Sequence, residues 1–93
     1  MRYIRQVHVE YPGTSNEHIS QVRHSPTITG TLSGATRGQI VADIDRGQSY
    51  RSHNDRTGDE AQVETRRSTR GTRYIATVAD GRETNNLLSL PRF

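Results

Sequence analysis

The stretch Ala35-Thr36-Arg37-Gly38-Gln39-Ile40-Val41-Ala42-Asp43-Ile44-Asp45-Arg46-Gly47 decides how this chain folds. Thr36 and Gln39 have the spacing of a capping box, in which a hydroxyl and an amide each satisfy a free backbone N–H at a helix start. Ala35 and Ile40 occupy the staple positions, and Ile40, Val41 and Ile44 fall on one side at helical spacing. Gly47 provides the stop. The pattern predicts a helix over Thr36 to Arg46. At about eleven residues it is too short to persist alone in water, so its aliphatic side must dock on a sheet. Gly38 inside it costs about 1 kcal/mol against alanine, and Asp43 and Asp45 near its end oppose the helix dipole, so neighbouring arginines are expected to compensate.

Upstream, Val7, Val9 and Tyr11 alternate with Gln6, His8 and Glu10, which predicts a strand over Arg2 to Tyr11. Pro12 to Asn16 is dense in turn formers, and Glu17 to His24 reads as the returning arm of a hairpin. Each arm contains Ile-x-Gln-Val, at Ile4 to Val7 and at Ile19 to Val22. A three-residue step between apolar positions breaks strict alternation, so a bulge is expected in both. Ser25 to Ala35 reads as a polar loop pinned at Ile28 and Leu32. Downstream of the helix, Ser49 to His53 is a short strand, and Ala61 to Arg67 and Arg73 to Ala79 form a second hairpin joined through Ser68 to Thr72. Asp80-Gly81 is a turn, and Asn85 to Pro91 is a tail folded back through its leucines. The expectation is a single α+β domain over residues 1–93. It has a small antiparallel sheet of about five strands with one helix packed on a face, in the order β-β-α-β-β-β.

Composition narrows the function classes. Leu, Ile, Val and Phe number 17 of 93 residues, just under the roughly 20% at which disorder becomes an option, but a net charge of +3 is too small for the self-repulsion of a disordered chain. The longest apolar runs fall far short of the about 20 residues of a membrane span, and of the roughly 7 to 15 of a signal-peptide core, so a cytoplasmic location is expected. Without cysteine there is no disulfide, no thiolate and no Cys-based zinc site. A core this small favours sharing a face in a homo-oligomer. All thirteen basic residues are arginine, whose planar fork suits phosphate or carboxylate partners.

The segment Tyr74-Ile75-Ala76-Thr77-Val78-Ala79-Asp80-Gly81, followed by Asn86-Leu87-Leu88-Ser89-Leu90-Pro91, resembles the signature of a small bacterial and phage family catalogued as domain of unknown function 3892. The paired Ile-x-x-Val strands and the helix closed by Gly47 before Tyr50 carry the same resemblance. It implies a short domain that often stands alone, and brings no activity, cofactor or catalytic residue with it. Occurrence of the family in phages suggests a sequestering or anti-defence role as an expectation. The polar stretch Ser25 to Ala35 and the turn around Arg70 look less family-like.

That turn is also the sharpest chemical feature. Arg66-Arg67-Ser68-Thr69-Arg70-Gly71-Thr72-Arg73 gathers four arginines and three hydroxyls at a hairpin tip. Alternation sends Arg66 and Arg67 to opposite faces, but the turn is able to bring Arg70 together with one arginine from each arm. The candidate ligand-binding set is Arg66, Arg67, Arg70, Arg73, Tyr74 and Asn86. It is expected to hold an anionic, nucleotide-like small molecule, with the tyrosine stacking and the amide hydrogen-bonding. The bland alternative is a solvated tip whose arginines answer Asp59, Glu60 and Glu64, in pairs of about 0 to 1 kcal/mol each. A nucleic acid is less favoured, since only five aromatics are present to interleave with the charge.

Enzymatic chemistry is not expected. There is no Gly-x-Ser-x-Gly elbow, and so small a core gives a triad little support. Asp80 reads as a turn residue and not a base. His8, His18, His24 and His53 show no metal-site spacing, and Asp43 to Gly47 fails as a calcium loop, so neither metal nor cofactor is expected. The competing class is a protein-interaction module, or an inhibitor of a host protein, in which the same arginines meet an acidic surface.

Overall fold

The computed structural model describes residues 1–93. The elements run β1 (Arg2–Val9), a 3-10 turn (Asn16–His18), β2 (Ile19–Ser25), β3 (Ser33–Thr36), α1 (Arg37–Asp45), β4 (Tyr50–His53), β5 (Glu60–Arg67), β6 (Arg73–Ala79) and β7 (Arg82–Thr84). The protein is an α+β domain with one helix and a seven-stranded sheet in the order β3-β2-β1-β4-β5-β6-β7. Every pairing is antiparallel except β1 with β4, which is parallel. Because β3 is antiparallel to β2 and β2 to β1, β3 also runs parallel to β4, and α1 makes the crossover between them.

Both predicted bulges are present. Ile4 faces His24 while Gln6 faces Arg23, so Arg5 is the extra residue of β1; His8 faces Gln21 while Val9 faces Ile19, so Ser20 is the extra residue of β2. Each insertion resets the side-chain alternation, and Ile4, Val7, Ile19 and Val22 are all fully buried. They join Ile40, Val41, Tyr50, Val63, Ile75, Leu87 and Leu90 in one core cluster.

Helix α1 starts as expected. The Gln39 amide N–H donates to Thr36 Oγ1 at 3.2 Å, and the Thr36 N–H donates to Gln39 Oε1 at 2.8 Å. Gly47 takes the left-handed conformation at φ 96° and ends it. The two awkward aspartates are answered from outside the helix axis: Asp43 by Arg46 and the Tyr50 hydroxyl, Asp45 by a two-pronged Arg73.

The expectation of about five strands is extended by two. Ser33–Thr36, read as the end of a loop, forms β3 on Gln21 to His24, and Arg82–Thr84 forms β7 after a turn in which Asp80 and Gly81 both have positive φ. Ile28 does not pin the loop before β3, being 42% exposed. Arg5 does so instead: its Nη1 donates to Gly30 O at 2.7 Å and to Ser25 Oγ at 3.3 Å. The second arm of the first hairpin begins at Ile19, because Asn16–His18 is a 3-10 turn.

No helix is long and apolar enough to cross a membrane. The accessible surface is 5455 Å² for 10.5 kDa, close to the roughly 5,400 Å² given by the scaling of monomeric proteins. Ile40 is the helix's main tie to the core and is wholly buried. Ile40→Ala is expected to lower unfolding free energy by about 2 to 5 kcal/mol, read as a drop in the urea midpoint; a change below about 0.5 kcal/mol would show that the helix is not docked through that stripe.

Candidate functional site

The β5–β6 connection is built by its own hydroxyl. Ser68 N–H donates to Thr72 O at 2.8 Å, Gly71 N–H donates to Ser68 O at 2.9 Å, and Ser68 Oγ accepts from the Thr72 amide at 3.2 Å. Gly71 supplies the positive φ, 84°, that closes this five-residue loop. Across from it lies the 3-10 turn Asn16–His18. Asn16 fixes that turn to β7 by donating to Glu83 Oε1 and Thr84 O, both at 3.2 Å, and Arg37 Nη1 donates to Glu17 O at 2.9 Å. Between the two is a cleft of about 470 Å³. One wall is Ser68, Thr69, Arg70, Thr72 and Tyr74, and the other is Glu17 and His18.

The cleft brings together only part of the expected set. Arg70 and Tyr74 line it. Arg66 stands opposite Tyr74 in the β5–β6 ladder; its Nη2 reaches Gly81 O at 3.4 Å and its Nε is buried without a partner. Arg67 and Arg73 pair with each other one position along, so they point to the opposite face of the sheet. There Arg73 is committed to Asp45, with bonds of 2.7 and 2.9 Å, and to Thr65 Oγ1 at 3.0 Å. This guanidinium holds the Asp45 carboxyl below its usual range, and Asp45 in turn raises the arginine. Asn86 is elsewhere. Its Oδ1 accepts from Thr84 Oγ1 at 2.7 Å, and it borders a separate pocket with Asn54, Asp59, Asn85 and Ser89 at the other end of β5.

Tyr74 is itself tied down. Its hydroxyl donates to Glu83 Oε2 at 2.7 Å, and burial together with that bond pushes the phenol up to about 12; the nearby charge of Arg66 partly offsets the rise. At 6% exposure its ring is a wall of the cleft and not a free stacking platform.

Glu17 and His18 were not among the candidates read from sequence, which assigned them to a strand. A signal was present in Ser15-x-x-His18, since a side chain three residues on is able to reach back to a turn's first amides. His18 Nδ1 accepts from the Thr14 and Ser15 amides at 3.1 and 3.2 Å, which places its single N–H on Nε2. The other histidines are engaged separately: His8 with the Phe93 carbonyl, His24 with Arg2 and His53 with Glu60.

A family profile described as "Protein of unknown function (DUF3892)" matches residues 3–91. No curated protein and no solved structure matches the chain.

Tyr50, like Tyr74, is raised to about 12, first by burial and then by its bond to Asp43. An unfolded tyrosine loses its proton near pH 10 while these two keep theirs to about 12. Their contribution to stability is therefore complete below about pH 10 and disappears as pH rises towards 12. Ultraviolet titration of the folded protein is expected to show two late-ionising phenols, with one remaining in Tyr74→Phe. Loss of neither in that variant would show that Tyr74 is not buried against Glu83.

Proposed function

The chain belongs to the DUF3892 family, whose function is unknown, and from that premise we propose that it is a non-catalytic binding domain for a nucleotide-like anion. The seat of binding is the cleft between the β5–β6 tip and the 3-10 turn. One observation carries the reading: Arg70 enters this cleft beside three hydroxyls with no carboxylate of its own, whereas Arg5, Arg46, Arg51 and Arg73 are each spent on an intramolecular ion pair. A guanidinium flanked by hydroxyls is suited to phosphate oxygens, because every group offers a donor and the arginine adds charge. The volume falls within the range that holds small molecules. A non-catalytic role is in keeping with His18, whose acceptor nitrogen is already used by two backbone amides and so is not free to act as a base on the hydroxyls of the cleft.

A second reading, docking of a protein partner, is favoured by Tyr11. Its side chain is 97% exposed on the β1–β2 connection, and exposed tyrosines are frequent anchors at interfaces. Native mass spectrometry of protein taken from a nucleotide-rich lysate separates the two. A retained mass of a few hundred daltons supports the ligand, and a co-purifying polypeptide the partner.

Isothermal titration against mono-, di- and cyclic nucleotides is expected to give heat with at least one of them. Arg70→Ala is expected to weaken that binding about 10- to 100-fold, the equivalent of about 1.5 to 3 kcal/mol for a charge-assisted contact. Arg67→Ala, on the other face, is expected to leave it unchanged. No heat from any nucleotide sinks the proposal.

A further inference from the structure

The two walls of the cleft differ in a way that speaks to the ligand's other end. Opposite Arg70 and its hydroxyls stands the Glu17 carboxylate, which makes no side-chain hydrogen bond or ion pair within the chain, with the His18 ring beside it. A ligand that was anionic throughout would be repelled there. One with an anionic end and a donor-rich end satisfies both walls.

An ionised carboxylate only accepts hydrogen bonds, and its two oxygens suit two N–H groups side by side. Among the common nucleobases guanine alone presents that arrangement, with N1–H and the N2 amino group adjacent on its Watson–Crick edge. Adenine and cytosine set a ring lone pair next to their amino group, aimed at the carboxylate, and uracil has a single N–H. Guanine continues along the same edge with the acceptor O6, and His18, its N–H fixed on Nε2 by the Thr14 and Ser15 amides, supplies a donor next to Glu17. We infer that this cleft selects guanine nucleotides, the Glu17 carboxylate and His18 Nε2–H reading the base while Arg70 holds phosphate. The inference rests on the nucleotide reading above.

The Glu17 side chain takes no part in holding the reading wall, which is kept in place by the His18 cap on the Thr14 and Ser15 amides and by two further contacts. Arg37 bonds the Glu17 backbone carbonyl and not its side chain, and Asn16 anchors the turn to β7. Glu17→Gln therefore alters the wall's chemistry without removing its support, replacing one acceptor oxygen by a donor of nearly the same size.

The test is isothermal titration with the 5′-monophosphates and 5′-diphosphates of guanosine, adenosine, cytidine and uridine, on the native chain and on Glu17→Gln, with urea unfolding as a check of fold. Guanine nucleotides are expected to bind at least about 10-fold tighter than the others, and Glu17→Gln to bring all four within about 3-fold while keeping the urea midpoint. Equal binding of the four bases, or a preference that survives Glu17→Gln, overturns the guanine assignment and leaves nucleotide binding standing. Heat from none of the eight overturns this assignment, and silence from the cyclic nucleotides as well removes the underlying proposal.

Discussion

Two extra residues, Arg5 and Ser20, are the constraint on which the rest of the structure depends. In an unbroken strand a three-residue step sends the second apolar side chain to the wrong face, so Ile4 and Val7 would part company, as would Ile19 and Val22. The insertions bring all four to one side. In a chain with 17 large aliphatic or phenylalanine residues there are few to spare, and those four make up much of the platform that α1 covers. The inserted residues are then used in their own right. Arg5 leaves the sheet and clamps two loops, bonding Gly30 O and the Asp55 carboxylate. That contact depresses Asp55 below its usual range.

Much of this was legible because it is written in local spacing. The capping box at Thr36 and Gln39, the stop at Gly47, the two Ile-x-Gln-Val steps and the Leu87 and Leu90 tail each reveal themselves within a few residues. Strand β3 was not legible, since Ser33-Gly34-Ala35-Thr36 has small, mostly exposed side chains and no alternation to detect. Three residues of β7 give too short a period, and the parallel pairing of β1 with β4 joins segments nearly fifty residues apart. The same division runs through the candidate site. Arg70 and Tyr74 share a hairpin and were found together. What withdraws Arg73 is Asp45, 28 positions away, and what completes the cleft is Glu17 and His18, brought across by Asn16.

The arginines are thus divided by the topology more than by composition. Where the helix leaves its end charges unsatisfied, an arginine is recruited, as Arg46 and Arg73 are to Asp43 and Asp45. Arg51 meets Glu60 across the β4–β5 ladder, and His53 also bonds that carboxylate and lowers it. Arg70, lifted on a loop whose bonds are all made by Ser68, Gly71 and Thr72, makes no ion pair within the chain. A surplus of three positive charges over the chain is therefore not spread evenly, and part of it is concentrated where the backbone turns.

The pairing of β1 has a bearing on how the protein is made. Beyond Ile4, where β4 departs, the open side of β1 is taken by the tail: Val7 N–H donates to Pro91 O at 3.0 Å and Phe93 N–H to Val7 O at 3.1 Å. A ribosome delivers β1 well before these partners. The ladder of β1 therefore stays half-finished until that distant segment has been made. Such distant pairings are closed at a higher entropic cost than the local contacts of a helical bundle of equal length, which places the domain among slower folders for its size.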